Sequence, residues 1–339
     1  ERIPLSHGMI GQETNGAGGM FKAFRTIPVI LDIVKDMQEL CPDAWMINFT
    51  NPAGMVTEAV LRYTDFKKVI GLCNVPVNMV AGIAKIMGVE EERVTMELQG
   101  VNHHIFATDA FVDGVIDEVV ERYANIDAED TIAMKNFVSL PYSPSFIRGL
   151  HAIPCPYHNY YFFTKEQLEE ELEQFKTGTV RGEVVSKVEE ELFELYKNEE
   201  LAEKPKQLEQ RGGAKYSDAA CNLIASIYAN KGDIQYVDVR NNGTITNLPE
   251  DSAVEVACYI TADGPKPIAT GELKPQINGT IQTIKTFERL VCEAAVTGNR
   301  DLAVTALNMN PLCPSDTLAN VVVDELLEAH KEYLPQFFK

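Results

Sequence analysis

The sequence predicts an α/β fold, in which an open parallel sheet is followed by a region of mixed α+β structure. Two observations predict the sheet: short apolar segments alternate with amphipathic helical segments, and the first two apolar segments each end in polar residues just before a helix. Parallel sheets bind ligands beyond the carboxyl ends of their strands, so these ends are candidates for a functional site. They are Thr50-Asn51 and Cys73-Asn74.

The elements of the sheet region follow from apolar spacing and from the positions of proline. Pro28 suits the first turn of a helix whose apolar residues recur at helical spacing, and Asn51-Pro52 and Pro76 suit two further helix starts. The predicted elements are a helix over 26–40, a strand over 45–49, a helix over 51–63, a strand over 69–72 and a helix that begins in 73–76.

Beyond about residue 95 the pattern becomes mixed, and we predict a division into 1–95 and 96–339 with one shared cleft. A strand over 105–112 enters a tight turn at Asp113-Gly114. The remaining predicted elements are helices over 167–174 and 183–196, an apolar, buried helix over 216–228, a strand over 254–260, and helices over 281–295, 301–307 and 321–334.

Composition and charge exclude several classes of partner. Fifty acidic and thirty basic side chains give a net charge of −20, which repels nucleic acid and anionic lipid. Seven scattered cysteines, an odd number, predict a reducing compartment and therefore a cytoplasmic location. No apolar stretch approaches the roughly 20 residues that span a bilayer. We therefore expect no nucleic-acid and no membrane partner.

Cys73 and a histidine of the Asn102-His103-His104 run are the candidate metal ligands. Cys73 lies where a strand ends and a helix begins, and the unpaired amide groups of a helix start favour a thiolate. A buried, inert cysteine and an ordinary core or surface histidine are the alternatives for the two residues taken singly. Together, one Cys and one His from separate elements would form an open metal site with room for substrate oxygens.

Three further features have both a chemical and a structural interpretation. The aromatic cluster around Tyr157 is either packing or a site for a tyrosine base, which requires a nearby cation or metal. Arg181 and Arg211 are either solvated or bind an anion, because a guanidinium matches phosphate. The glycine run 11–19 lacks the preceding strand and the glycine spacing of a phosphate-binding loop.

Eight motifs then resemble, in order, those of family 4 glycoside hydrolases, and the resemblance spans nearly the whole chain. Cys73-Asn-Val-Pro76 and the Asn102-His103 pair are the most specific. The others are Ile3-Pro-Leu, Gly11-Gln-Glu13, Asn48-Phe-Thr-Asn-Pro52, the cluster over 157–161, Arg211-Gly-Gly and Asn241-Asn-Gly243. The chain is most similar to members that act on cellobiose or diacetylchitobiose 6-phosphate, the 6-phospho-β-glucosidase kind.

This resemblance implies a Rossmann-like parallel-sheet domain, represented by its C-terminal part, followed by a substrate and oligomerisation domain. It implies that Cys73 and His103 bind Mn²⁺ or another divalent metal, and that Tyr157 is the catalytic base. Glu13 matches the acidic residue that raises the basicity of that tyrosine. The implied cofactors are NAD and Mn²⁺, the implied substrate is a phosphorylated disaccharide, and the implied assembly is a homodimer or homotetramer.

On the substrate side, the resemblance implies that Asn51 holds the sugar and that Arg181 contacts the substrate. α-Selective members carry an aspartic acid as proton donor at the position that follows Cys73. This chain has Asn74 there instead, and in this it is similar to the β-selective members. An amide cannot be a general acid, so the leaving group must be protonated by another donor.

The mechanism of the family begins with transfer of hydride from C3 of the sugar to NAD⁺. The ketone acidifies the C2 proton, Tyr157 removes it, the aglycone leaves, water adds, and NADH returns the hydride. This NAD-dependent group is a known exception to the two-carboxylate scheme of glycosidases.

Members of the family begin with a strand and a glycine-rich nucleotide loop, and Glu1 falls after that segment. We therefore expect that on the order of 100 residues precede this chain in a full-length relative. Two other functions remain open. One is an NAD-dependent hydroxy-acid dehydrogenase, which would require a His–carboxylate pair and no thiolate ligand. The other is a non-catalytic sugar-phosphate-binding or oligomerisation module.

Overall fold

The structure, a computed structural model, describes residues 1–116, 118–127, 132–133, 138–208 and 215–339. Arg211, one of the two predicted anion-binding arginines, lies outside these residues. Within the described ranges, no helix has the length and apolar character needed to cross a membrane. The seven cysteines are all free thiols.

The elements alternate as the α/β prediction requires. The helices are α1 (Arg2–Ser6), α2 (Gly16–Leu40), α3 (Ala53–Tyr63), α4 (Val75–Met87), α5 (Val119–Ala124), α6 (Pro144–Leu150), α7 (Asn159–Phe162), α8 (Thr164–Thr177), α9 (Arg181–Tyr196), α10 (Tyr216–Ala229), α11 (Pro275–Thr297), α12 (Arg300–Met309) and α13 (Asp316–Ala329). The strands are β1 (Met46–Asn48), β2 (Val69–Gly71), β3 (Val94–Val101), β4 (His104–Val112), β5 (Val115–Ile116), β6 (Ile153–Pro154), β7 (Ile234–Arg240), β8 (Ala253–Thr261) and β9 (Gly264–Pro267).

Two sheets carry the functional elements. The first has the order β1-β2-β7-β8-β9, in which β1 and β2 are parallel, as predicted, and β7 to β9 are antiparallel. The second contains β3, β4 and β5, with β6 paired to β4. The α/β fold class is thereby confirmed, with a mixed rather than purely parallel first sheet. Because β2 pairs with β7, this sheet takes strands from both sides of residue 95, and the division there stays a prediction.

Helix α2 is longer than predicted. It begins at Gly16 rather than at Thr26, and Pro28 lies inside it instead of in its first turn. An interior proline leaves the carbonyl four residues earlier without its helical donor. Here that carbonyl belongs to Phe24, and it accepts a hydrogen bond from Gln336 Nε2 at 3.0 Å. A contact distant in sequence therefore compensates the proline.

The glycines at the start of α2 serve backbone packing. A Cβ on Gly18 would lie 2.2 Å from the Gln12 carbonyl oxygen, and one on Gly19 would lie 2.2 Å from that of Thr14. The first turn thus packs directly on the preceding loop, where Gln12 Oε1 accepts from the amides of Thr14 and Asn15 at 2.6 and 2.7 Å. This packing agrees with the sequence argument against a phosphate-binding loop.

Helix α10 is less buried than predicted. Leu223 is fully buried, but Ile224 and Tyr228 are 54% and 93% exposed. The helix therefore packs only one face on the first sheet, and apolar composition alone overstated its burial.

Candidate active site

The carboxyl ends of β1 and β2 place two of the predicted residue sets side by side. Asn48 pairs with Gly71 in the parallel ladder, so the chain leaves both strands at the same edge of the sheet. Asn51 follows β1, its bond to Pro52 is cis, and its Oδ1 accepts from the Ala53 amide at 3.4 Å. Cys73 and Asn74 follow β2 and are buried where α4 begins. The prediction of polar residues at one sheet edge is met.

The two predicted metal ligands are adjacent, although 30 residues separate them. Cys73 Sγ lies 3.5 Å from His103 Nε2, and both side chains are buried. Sulfur and nitrogen ligands at about 2.3 and 2.1 Å from a tetrahedral metal would lie roughly 3.6 Å apart. The separation therefore fits chelation of one ion. No group of three or more His, Cys, Asp or Glu residues forms a cage in the described residues, so substrate oxygens would complete the coordination.

The environment of Cys73 favours the thiol unless a cation is present. Burial, followed by the nearby Glu255 carboxyl, raises the pKa of this cysteine well above its usual value. The Val75 amide donates to Sγ at 3.5 Å, as expected at a helix start, but its effect is smaller. The helix-start amide that the sequence argument expected is therefore present, but burial has the larger effect on the pKa of this cysteine.

His103 occupies the turn between β3 and β4 in a left-handed conformation with φ 62°. Burial, and then the charge of Lys22, lower the pKa of the imidazole to about 3. The neutral imidazole is the form that binds a metal. The ring of Tyr157 stacks on it, with centroids 4.0 Å apart and an angle of 11° between the planes.

Tyr157 reaches this position from a short 3₁₀ helix, Pro156–His158, that follows β6. Strand β6 pairs with β4, which begins at His104, so the aromatic cluster is held beside the turn that carries His103. Tyr157 is buried, and Tyr160 lies 6.4 Å from it between ring centroids. The structure therefore brings the predicted base to the predicted metal ligands.

Glu13 and Arg181 line a neighbouring cleft of about 470 Å³, a volume that includes space open to solvent. Tyr160 and Glu171 also line it. Glu171 Oε2 accepts from the Gly11 amide at 2.8 Å, and burial raises the pKa of Glu171 to about 7. The cleft thus combines one guanidinium with several carboxyl groups, which can bind sugar hydroxyls.

Tyr216, which the sequence placed only as the start of a helix, is a further residue of the site. Its ring meets Phe49 edge to face at a centroid distance of 5.1 Å, and its hydroxyl hydrogen-bonds the Asn51 side chain. Burial and the nearby Cys73 and Glu13 raise its pKa to about 12. Tyr216 therefore links the sheet edge to the cleft that contains Glu13.

Sequence reasoning also missed two acidic residues behind the metal ligands. Asp238 and Glu255 are fully buried and face each other across β7 and β8. The Asn102 amide donates to both carboxyl oxygens of Glu255 at 3.4 Å. The available signal was a lone acidic residue within each of two apolar strands, which is unusual for a buried strand.

Comparison with known proteins agrees with this geometry. Residues 1–89 match the family described as family 4 glycosyl hydrolase, and residues 98–313 match the family 4 glycosyl hydrolase C-terminal domain. A probable 6-phospho-beta-glucosidase of Bacillus subtilis is 58% identical over all of this chain and 76% of its own length. A 6-phospho-beta-glucosidase of Escherichia coli is 48% identical over 99% of this chain and 76% of its own length.

Solved structures give the same result. The 6-phospho-beta glucosidase of Thermotoga maritima, solved with manganese, NAD⁺ and glucose-6-phosphate, superposes with a TM-score of 0.85 at 34% identity. The match covers 98% of this chain and 76% of that one. The two matched regions, the identities and the superposition together show that this chain is a member of glycosyl hydrolase family 4.

Proposed function

We propose that this protein hydrolyses 6-phospho-β-glucosides with NAD and a divalent metal, at a centre formed by Cys73, His103 and Tyr157. One observation carries the proposal: Cys73 Sγ and His103 Nε2 lie 3.5 Å apart, and the Tyr157 ring stacks on that histidine. The named activity of the relatives, at 58% and 48% identity, supports the same substrate class.

The metal and NAD, when bound, supply polarisation of the sugar hydroxyl oxygens and a hydride acceptor. Cys73 and His103 would hold the metal through Sγ and Nε2, which lie 3.5 Å apart. The left-handed turn and the stacked Tyr157 ring fix the imidazole plane, and burial keeps the imidazole neutral for this task. The Tyr157 oxygen accepts the C2 proton, which requires its phenolate form and therefore a cation nearby.

The substrate is oriented by residues at the sheet edge and in the cleft. Asn51, held by Tyr216 and by the Ala53 amide, contacts sugar hydroxyls. Arg181 provides a guanidinium for the substrate, and Glu13 adds negative charge near the tyrosines. Burial is the largest cause of the raised pKa of Tyr160 and of Tyr216, and Glu13 is one of the smaller causes. These assignments follow from the resemblance, and Glu13 and Arg181 line the same cleft.

Asn74 supports β-selectivity. It is buried beside Cys73, whose Sγ lies 3.9 Å from Asn74 Oδ1, so its side chain faces the metal ligands. An amide at this position cannot donate the proton that an acidic residue would give to an α-linked leaving group.

We further infer a cytoplasmic location, supported by seven free cysteines, and a homodimer or homotetramer, supported by the family resemblance. Size-exclusion chromatography with light scattering measures the assembly. A monomer at micromolar concentration would contradict this inference.

Release of p-nitrophenol from its 6-phospho-β-glucoside tests the activity. The assay compares protein with NAD⁺ and Mn²⁺ together, with each alone, and after exhaustive chelation, and it uses a form that carries the full family length. We expect turnover only with both additions. Turnover that survives chelation would contradict the metal site. Steady NADH formation without p-nitrophenol would favour a dehydrogenase, and substrate binding without turnover would favour a binding module.

A further inference from the structure

The side chain of Asn102 lies between the metal ligands and a buried carboxyl group. Its Nδ2 is 3.4 Å from both carboxyl oxygens of Glu255, and its Oδ1 accepts from the Gly54 amide at 3.4 Å. The same side chain hydrogen-bonds the Cys73 thiol. Asn102 also directly precedes His103 in the chain. One amide side chain therefore contacts one metal ligand and adjoins the other.

The turn that presents His103 needs external support. Val101 pairs with His104, so Asn102 and His103 alone connect β3 to β4, and His103 has φ 62°. A residue with a Cβ adopts this left-handed conformation at an energetic cost, which surrounding contacts must offset. The hydrogen bonds of Asn102 to Gly54 and Glu255 fix the first residue of this turn. The orientation of the imidazole thus depends on them.

Glu255 occupies a position that stability alone does not favour. It is fully buried and directly opposite Asp238, which is also fully buried, on the neighbouring strand. Two carboxyl groups buried directly opposite each other without a cation are costly, because either their charges repel or one of them must hold a proton. Neither residue forms an ion pair within the described part of the chain. A locally unfavourable arrangement that touches a candidate site points to a role in that site.

We propose that Glu255 is a positioning residue for the metal site, acting through Asn102 to orient His103 and Cys73. The inference rests on the proposed metal site and adds the residues that hold it in place. Groups that hold metal ligands by hydrogen bonds typically change metal affinity by about 10- to 100-fold when removed.

Two substitutions of Glu255 separate its hydrogen bond from its ionisable carboxyl group. Glu255→Gln keeps an oxygen that accepts from Asn102, whereas Glu255→Leu removes the acceptor, and both remove the ionisable group opposite Asp238. Titration with Mn²⁺ alone, in which electron paramagnetic resonance detects the free ion, gives the Kd of each variant for Mn²⁺. We expect a change below about 3-fold for Glu255→Gln and a loss of about 10-fold or more for Glu255→Leu. Equal Kd values for the two variants would overturn the proposal.

A double-mutant cycle tests the route through Asn102. Asn102→Ala should weaken Mn²⁺ binding by about 10-fold or more on its own, which also tests the proposal if Glu255→Leu does not fold. In the double variant, Glu255→Leu should weaken Mn²⁺ binding by less than about 2-fold beyond the loss caused by Asn102→Ala, because its effect passes through the missing amide. Independent, multiplicative losses would overturn this route. A wild-type chain that binds no Mn²⁺ would instead contradict the metal site itself.

Discussion

Two groups of buried acidic residues differ in how their charge is balanced. Lys285 Nζ lies 2.6 Å from Glu58 Oε2 and 2.6 Å from Glu288 Oε2, and Glu58 also accepts from the Ala253 amide at 3.1 Å. Asp238 and Glu255, in contrast, face each other with Asn102 as the neutral partner of Glu255.

The difference indicates two roles. Burial lowers the pKa of Lys285, but the nearby Glu288 and Glu58 raise it by more, so the lysine stays charged. Burial raises the pKa of Glu288 to about 7, and the charge of Lys285 opposes this rise. Burial, followed by the nearby Glu288 charge, raises the pKa of Asp238 to about 8. The Lys285 group is a balanced network that stabilises the fold. The Asp238–Glu255 pair costs stability where it adjoins the metal ligands.

The largest expected effect concerns the balanced network. Lys285→Met leaves Glu58 and Glu288 buried without their lysine, and breaking a buried ion pair typically costs about 3–5 kcal/mol of the free energy of unfolding. Urea unfolding measures this change. Mn²⁺ affinity of the folded protein should change less than about 3-fold. Lys331→Met is the control, because its exposed pair with Glu328 should contribute less than about 1 kcal/mol.

A destabilisation by Lys285→Met no larger than that of the control would contradict the stabilising role. A large loss of Mn²⁺ affinity in the folded variant would remove the distinction between the two groups.

The next effect concerns metal binding. Cys73→Ser should weaken Mn²⁺ binding by about 100-fold, or ~2.7 kcal/mol, because the hydroxyl is a poorer ligand than a thiolate. Cys258→Ser is matched in burial, and Cys258 Sγ donates to the Val256 carbonyl, at 3.7 Å. Cys258→Ser should leave the Kd for Mn²⁺ unchanged. Calorimetric titration measures both. If the two serine variants lose affinity equally, Cys73 is a packing residue.

The last expected effect is a pH dependence of the metal-free protein. The pKa of Asp238 is about 8 in the folded state, above its ordinary value of 3.8. Between pH 3.8 and pH 8 the folded state therefore holds a proton that the unfolded state has released. Stability therefore falls as pH rises through this window. Asp238→Asn removes the titrating group. The unfolding free energy of this variant relative to wild type should rise between pH 5 and pH 8.

Urea unfolding in the presence of a chelator, at several pH values, measures this difference in unfolding free energy. A difference that stays constant, or that falls with rising pH, would contradict the buried, protonated state of Asp238.

Local patterns in the sequence predicted the sheet edge but not its support. The apolar strands and the helix starts placed Asn51 and Cys73 at one edge, and the family resemblance added His103 and Tyr157. The structure brings these residues together. Local signals sufficed here because the parallel ladder aligns the ends of neighbouring strands.

What could not be predicted depends on contacts distant in sequence. The burial of Glu255 depends on the pairing of β7 with β8, and its role depends on the β3–β4 turn, 153 residues away from it. The interior Pro28 is tolerated because Gln336 compensates it. Single-residue preferences carry no information about such partners.

Proton exchange at C2 tests the proposed centre most directly. A 6-phospho-β-glucoside deuterated at C2 is turned over with NAD⁺ and Mn²⁺, and mass spectrometry follows loss of deuterium to the solvent. We expect exchange with wild type and exchange at background level with Tyr157→Phe, which removes one oxygen and keeps the ring that stacks on His103. Tyr228→Phe, at an exposed position, should exchange as wild type does. Exchange by Tyr157→Phe at the wild-type rate would contradict the assignment of Tyr157 as the base.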